Sequence, residues 1–194
     1  MNISTKFNTR KTILALAVLI GSMGVSFGQS ESKIVSEKGH IEFLSKTSIE
    51  DISAHNSKIK SSLDMTSGAV IISVPMQSYK FENATMQKHY NSPKFLDTKQ
   101  FPKSKFKGTI TNLDAVDFSK DGSYKAEIKG ELTLHGVTKP VTENATITVK
   151  GGNITLDSKM QITLADYKIA FEKGKPSKNI AKTIDVTTKI EFTK

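Results

Sequence analysis

The sequence predicts an all-β domain: a closed antiparallel barrel of about eight strands with a short helical cap. Three observations predict it. Apolar and polar residues alternate with period two over long stretches of the chain. Turn-forming segments separate those stretches, at Asp121-Gly122, Gly136 to Pro140 and Gly151-Gly152-Asn153. One segment, 81–97, breaks the alternation and follows a helical spacing instead. With 194 residues and 37% apolar content the chain fills one domain, and no internal repeat, low-complexity tract or linker divides it.

Residues 1–28 read as a cleavable leader, leaving 29–194 as the domain. Lys6, Arg10 and Lys11 come first with no acid, an apolar run from Thr12 to Ile20 follows, and Ser26 and Gly28 take the −3 and −1 positions of a cleavage site. The run is shorter than the roughly 20 residues that span a bilayer, so the expected location is the periplasm or outside the cell. Cysteine is absent, which excludes disulfides, thiolate metal sites, cysteine catalysis and a lipidated N-terminal cysteine together.

Along the domain, Ile59, Leu63 and Met65 open the alternation, and Val70, Ile72, Val74 and Met76 continue it. The 81–97 segment places Met86, His89 and Tyr90 on one helical face. Ser92-Pro93 then reads as the N-cap and first residue of a second short helical turn carrying Phe95 and Leu96. Phe106 and Ile110 return to period two. In 123–135, Tyr124, Ala126, Ile128, Leu132 and Leu134 share a face against Lys125, Glu127, Lys129, Glu131 and Thr133. Ala145, Ile147 and Val149 share another, as do Ile154, Leu156, Met160, Ile162 and Leu164. The last run carries Ile180, Ile184, Val186, Ile190 and Phe192 on one face, which Lys182 and Thr188 interrupt. Strands with one apolar face must close on themselves or pack on a second sheet.

Two stretches carry a family resemblance. Gly130-Glu131-Leu132-Thr133-Leu134-His135-Gly136-Val137-Thr138-Lys139-Pro140-Val141-Thr142 resembles the strand-turn-strand signature of the YceI-like family of secreted, lipocalin-like, polyisoprenoid-binding proteins. His89 to Asp97, with Phe101-Pro102 and Lys105-Phe106, is similar to that family's helix, short turn and following strand. The basic loop from Lys173 to Lys178 and the short tail after Phe192 depart from the pattern. The resemblance implies an apolar cavity holding an isoprenoid or another long-chain lipid.

The apolar faces supply the candidate wall of that cavity. It comprises Val70, Ile72, Val74, Phe106, Ile128, Leu132, Ile147, Leu156, Met160, Ile162, Ile184 and Val186. Phe95 adds to this wall, and Met86, His89 and Tyr90 stand at its mouth, adaptable or polar-tipped side chains suited to an amphiphile. The same stripes equally describe a solid core, since about eight strands enclose either packed side chains or one small ligand. A packed, ligand-free envelope or stress-related interaction protein is therefore the alternative reading.

Chemistry-bearing constellations do not emerge from the sequence. His40, His55, His89 and His135 lack metal-ligand spacing, and His135 before Gly136 suits a turn-stabilising hydrogen bond. No Gly-x-Ser-x-Gly elbow and no phosphate-binding glycine loop is present, so the expectation is a binding protein without metal or cofactor rather than an enzyme. The formal charge of +9 invites an anionic partner. Lysines that alternate with acids along strands mark a solvated outer face and, with few aromatics, argue against nucleic acid. A denser group, Lys94, Lys99, Lys103, Lys105 and Lys107, is the candidate contact with an anionic membrane surface. The oligomeric state stays open, a homodimer included.

Overall fold

The structure, a computed structural model, describes residues 32–169, 171–172, 175–176 and 178–193; the leader expected at 1–28 lies outside them. The strands are β1 (Lys33–Ser36), β2 (Gly39–Lys46), β3 (Asp51–Asn56), β4 (Lys60–Asp64) and β5 (Ala69–Pro75). After the helix α1 (Ala84–Asn91) come β6 (Lys103–Ile110), β7 (Gly122–Leu134), β8 (Val137–Lys150) and β9 (Asn153–Thr163). The two-residue pair β10 (Phe171–Glu172) and β11 (Lys175–Pro176) precedes β12 (Thr183–Thr193).

Ten strands form one antiparallel sheet in the order β1-β4-β5-β6-β7-β8-β9-β12-β2-β3. The expectation of about eight strands is corrected to ten among the described residues, in a curled sheet whose order has two ends. The extra strands lie in 33–56, where runs of four to eight residues hold too few periods for alternation to stand out. Only Glu37 and Lys38 separate β1 from β2, so one bent length of chain borders β4 on one side and β12 on the other. At that bend the Ser36 hydroxyl donates to Glu191 O, and Glu191 N donates to Lys38 O at 2.9 Å. At the other end of the order, His55 and Lys80 exchange backbone hydrogen bonds of 3.1 and 2.8 Å, which draws β3 against the segment following β5.

Local chemistry explains the longest pairings. His135 and Gly136 both take positive φ, 49° and 72°, the conformation a two-residue hairpin needs to keep the strand twist. The turn is therefore tighter than the Gly136–Pro140 stretch read from sequence, and β8 already begins at Val137. Pro140 fits inside a strand because β9 pairs with β8 only over Ala145–Lys150. The β6–β7 connection is long rather than a tight turn at Asp121-Gly122. Instead, the Asp121 carboxylate accepts from Gly151 N at 3.0 Å and ties that loop to the β8–β9 turn.

Helix α1 starts at Asn83, whose side chain accepts from Thr85 N and Met86 N. Ser92 caps its C-terminus and does not begin a second helix: its hydroxyl and its N–H both donate to His89 O. Residues 93–96 follow as hydrogen-bonded turns. Proline at 93 cannot continue a helix already ending, so the same dipeptide serves as a stop signal.

Candidate functional site

One half of the interior of the curl is solid. Val70, Ile128, Ile147 and Leu156 are fully buried there beside Leu63, Ile154, Ile190 and Phe192. These four expected wall residues belong to the packed end and do not reach the cavity. The pleat points them inward as expected, but their neighbours' side chains meet over them and leave no lumen at that level.

The other half encloses a cavity of about 1520 Å³. Twelve of the sixteen expected residues line it. Ile72 and Val74 come from β5, Phe106 from β6, Leu132 from β7, Met160 and Ile162 from β9, and Ile184 and Val186 from β12. Met86, His89 and Tyr90 descend from α1, and Phe95 from the turn after it. Strand register sets their levels: Met160 lies opposite Val186, and Val186 opposite Phe43. One rung deeper, Ser158 lies opposite Thr188, and Thr188 opposite Ile41.

Beneath the helix sits an aromatic cluster. Tyr90 packs against Phe43, Tyr79 and Phe81 with ring centroids 6.1, 5.6 and 5.0 Å away. Such offset and tilted arrangements favour the ring quadrupoles as well as burying area. Burial pushes the Tyr79 and Tyr90 phenols well above their usual range, so both are neutral hydroxyls. The Tyr90 hydroxyl oxygen is buried with no hydrogen-bond partner among the described residues. At the rim, His135 Nδ1 hydrogen-bonds Tyr167 O at 3.0 Å, and its ring meets Phe101 edge-on at 4.6 Å. That places His135 in the structural role its turn position implies.

Two kinds of wall residue escaped the sequence reading. Phe43 and Ile41 lie on β2, among the strands too short to register, although they do alternate with His40 and Glu42. Glu143 is the sole contribution of β8 to the cavity among the described residues. It is in phase with Ala145, Ile147 and Val149, and extending that alternation by one step would have placed it inside. Thr188, noted only as a break in an apolar face, does point inward and lines the same region.

The lysines fall on the other side of the sheet. Lys103, Lys105 and Lys107 are exposed on the outer face of β6, and exposed pairs such as Lys129–Glu127 and Lys159–Asp185 alternate along neighbouring strands. Lys94 is the member of the basic group that reaches the cavity rim. No group of acids, histidines or cysteines able to hold a metal ion occurs among the described residues.

Comparison with known proteins decides the family, because the YceI-like domain model matches residues 29–192. The chain belongs to the YceI-like domain family. The YceI protein of Escherichia coli O17:K52:H18 is 29% identical over 123 residues, 60% of each chain. A UPF0312 protein of Pseudomonas putida (strain W619) is 42% identical over 69 residues, 36% of this chain and 32% of that protein. The match thus spans about a third of the length of that Pseudomonas relative. Among solved structures, a polyisoprenoid binding domain from Saccharophagus degradans implicated in plant cell wall breakdown aligns with a TM-score of 0.69 at 12% identity, over 84% of this chain and 98% of that one. Burkholderia cenocepacia BcnA aligns with a TM-score of 0.66 at 16% identity, over 79% and 95%. At these identities the solved structures establish a shared fold: the described residues of this YceI-like chain form an all-β curled sheet with one α-helix.

Proposed function

We propose that this YceI-like chain binds one long apolar molecule, a polyisoprenoid or a similar amphiphilic lipid, and sequesters or carries it. The observation that carries the reading is the cavity of about 1520 Å³ behind an aromatic cluster. Ordinary small-molecule pockets hold roughly 300–1,000 Å³, and close-packed interiors leave few voids larger than a water. A chain threaded between Ile72, Phe106, Met160, Ile162 and Val186 gains about 0.8 kcal/mol per buried methylene, so no charged contact is required. The polyisoprenoid binding of the Saccharophagus degradans domain supports the ligand class. In this reading the sheet works as a barrel closed through the bent β1–β2 run, and the protein acts by binding rather than catalysis. It operates in the periplasm or outside the cell after loss of the leader. Lys94 and the outer lysines of β6 orient the mouth toward an anionic membrane surface.

Native mass spectrometry of the protein purified from its own cell envelope tests this. The expected result is a non-covalent lipid adduct that organic solvent extracts and a prenyl lipid restores. Protein that is lipid-free and binds no fluorescent prenyl probe overturns it, in favour of a ligand-free interaction protein.

A further inference from the structure

We propose that the inner end of the cavity is a hydrogen-bonding subsite, formed by Glu143 and Thr188 with Ser158 buried behind the carboxyl, that receives a neutral carbonyl or hydroxyl oxygen on the leading end of the bound chain. The inference rests on the chain-binding reading and adds to it the chemistry of the end that enters first.

Position comes first. Glu143 stands on the inward face of β8, where the residues on either side of it along the chain, Thr142 and Asn144, are exposed. The β8–β9 ladder ends at Ala145–Ser158, so Glu143 occupies the point where the two strands part. Immediately deeper, Ala145, Ile147 and Leu156 are fully packed. The carboxyl therefore belongs to the floor of the cavity and not to its mouth.

An unmet bonding capacity is the second observation. Glu143 is 7% exposed, yet its Oε1 has no hydrogen-bond partner among the described residues. On the adjacent rung Thr188, 6% exposed, lines the cavity, and Ser158, 7% exposed and opposite it, lies behind that lining with its hydroxyl against the Glu143 carboxyl. A fully packed apolar fold gains nothing from an acid at this place, since a desolvated polar group without a partner destabilises it. A ligand oxygen supplies the missing partner.

The ionisation state selects the ligand class. Among the described residues no salt bridge includes Glu143, and the cationic side chains that line the cavity, Lys94, Lys168 and Lys178, come from the segments at its rim. Burial pushes its carboxyl above the usual carboxylate range, while the Ser158 hydroxyl pulls it part of the way back. Burial thus favours the protonated form of this carboxyl more than exposure would; in that form it donates one hydrogen bond and keeps acceptor capacity, which suits a carbonyl or hydroxyl. An ionised one would select an ammonium group instead.

Displacement of a fluorescent prenyl probe by three chains of equal length tests the assignment: hexadecan-1-ol, hexadecane and hexadecylamine. Wild type should bind the alcohol about tenfold more tightly than the alkane, the worth of one buried hydrogen bond. Glu143→Leu should erase that preference while keeping alkane binding, and Glu143→Gln, which retains a donor and an acceptor, should preserve much of it. Circular dichroism and thermal melting establish that each variant is folded. Equal affinity of wild type for alcohol and alkane overturns the subsite and leaves chain binding standing. Amine binding that exceeds alcohol binding and disappears in Glu143→Gln overturns the neutral-oxygen assignment. Failure of every chain to displace or bind overturns the chain-binding reading, and this inference with it.

Discussion

Tyr90 of the helix stacks on Phe43 of β2, with ring centroids 6.1 Å apart and planes 14° from parallel. This contact docks a short helix onto the curled sheet directly over the cavity. An eight-residue helix is marginal by itself in water, so its position depends on such packing.

Truncating that ring should therefore loosen the whole cap. Tyr90→Ala is expected to lower stability by about 3 kcal/mol. Tyr90→Phe removes only a hydroxyl that has no partner among the described residues and should leave the urea midpoint unchanged or slightly raised. A large loss in Tyr90→Phe would mean that the hydroxyl is bonded in solution.

The floor of the cavity should show in the pH dependence of stability. Because burial raises the Glu143 carboxyl above its ordinary 4.5, the folded chain holds a proton that the unfolded chain has already released. Stability must then fall as pH rises through the interval between the unfolded and folded values, and stay lower above it. Glu143→Gln removes this component. The variant should gain on wild type as pH rises from 4 toward neutrality, measured as the difference between two urea-midpoint profiles so that other groups cancel.

Depth along one strand predicts opposite effects of the same chemistry. Leu156 is fully buried in the solid half, whereas Ile162 faces the cavity three pleat repeats further along the strand. Leu156→Asn should destabilise the lipid-free protein by about 3–5 kcal/mol through lost packing and a buried amide. Ile162→Asn should do so by about 1–2 kcal/mol, because its amide reaches the lumen, while weakening binding of a prenyl probe. Equal destabilisation by the two changes would show that the cavity level is packed in solution.

Glycines offer a further check on the strand geometry. A β-carbon at Gly130 would collide with Lys107 O and stand 2.5 Å from Gly108 Cα, so β6 and β7 approach closely there through backbone alone. Gly130→Ala is expected to cost about 2–3 kcal/mol. Gly151, in the β8–β9 turn, has open space around it and φ of 57°. Gly151→Ala should cost only the strain of a left-handed residue, about 1 kcal/mol. Thermal melting of the two variants separates the cases.

Period-two alternation by itself determined β7, β9 and β12 and the face each turns inward, because side-chain direction in a strand is a local property of the pleat. Helical spacing likewise determined that Met86, His89 and Tyr90 share a face, and all three do line the cavity. Level along the strand direction was not legible. Leu156 and Ile162 are indistinguishable as inward apolar residues of one strand, yet one is sealed in core and the other borders open space. Which of these obtains depends on how closely the opposite strands approach at that height, and on whether a helix rather than side chains covers the end. Those are distances between residues remote in sequence, such as Phe43 and Tyr90, and no local period encodes them. Glu143 marks the same boundary: its inward phase was readable from β8, but only the packed neighbours below it and the lumen above it turn an acid on a strand into the polar floor of a cavity.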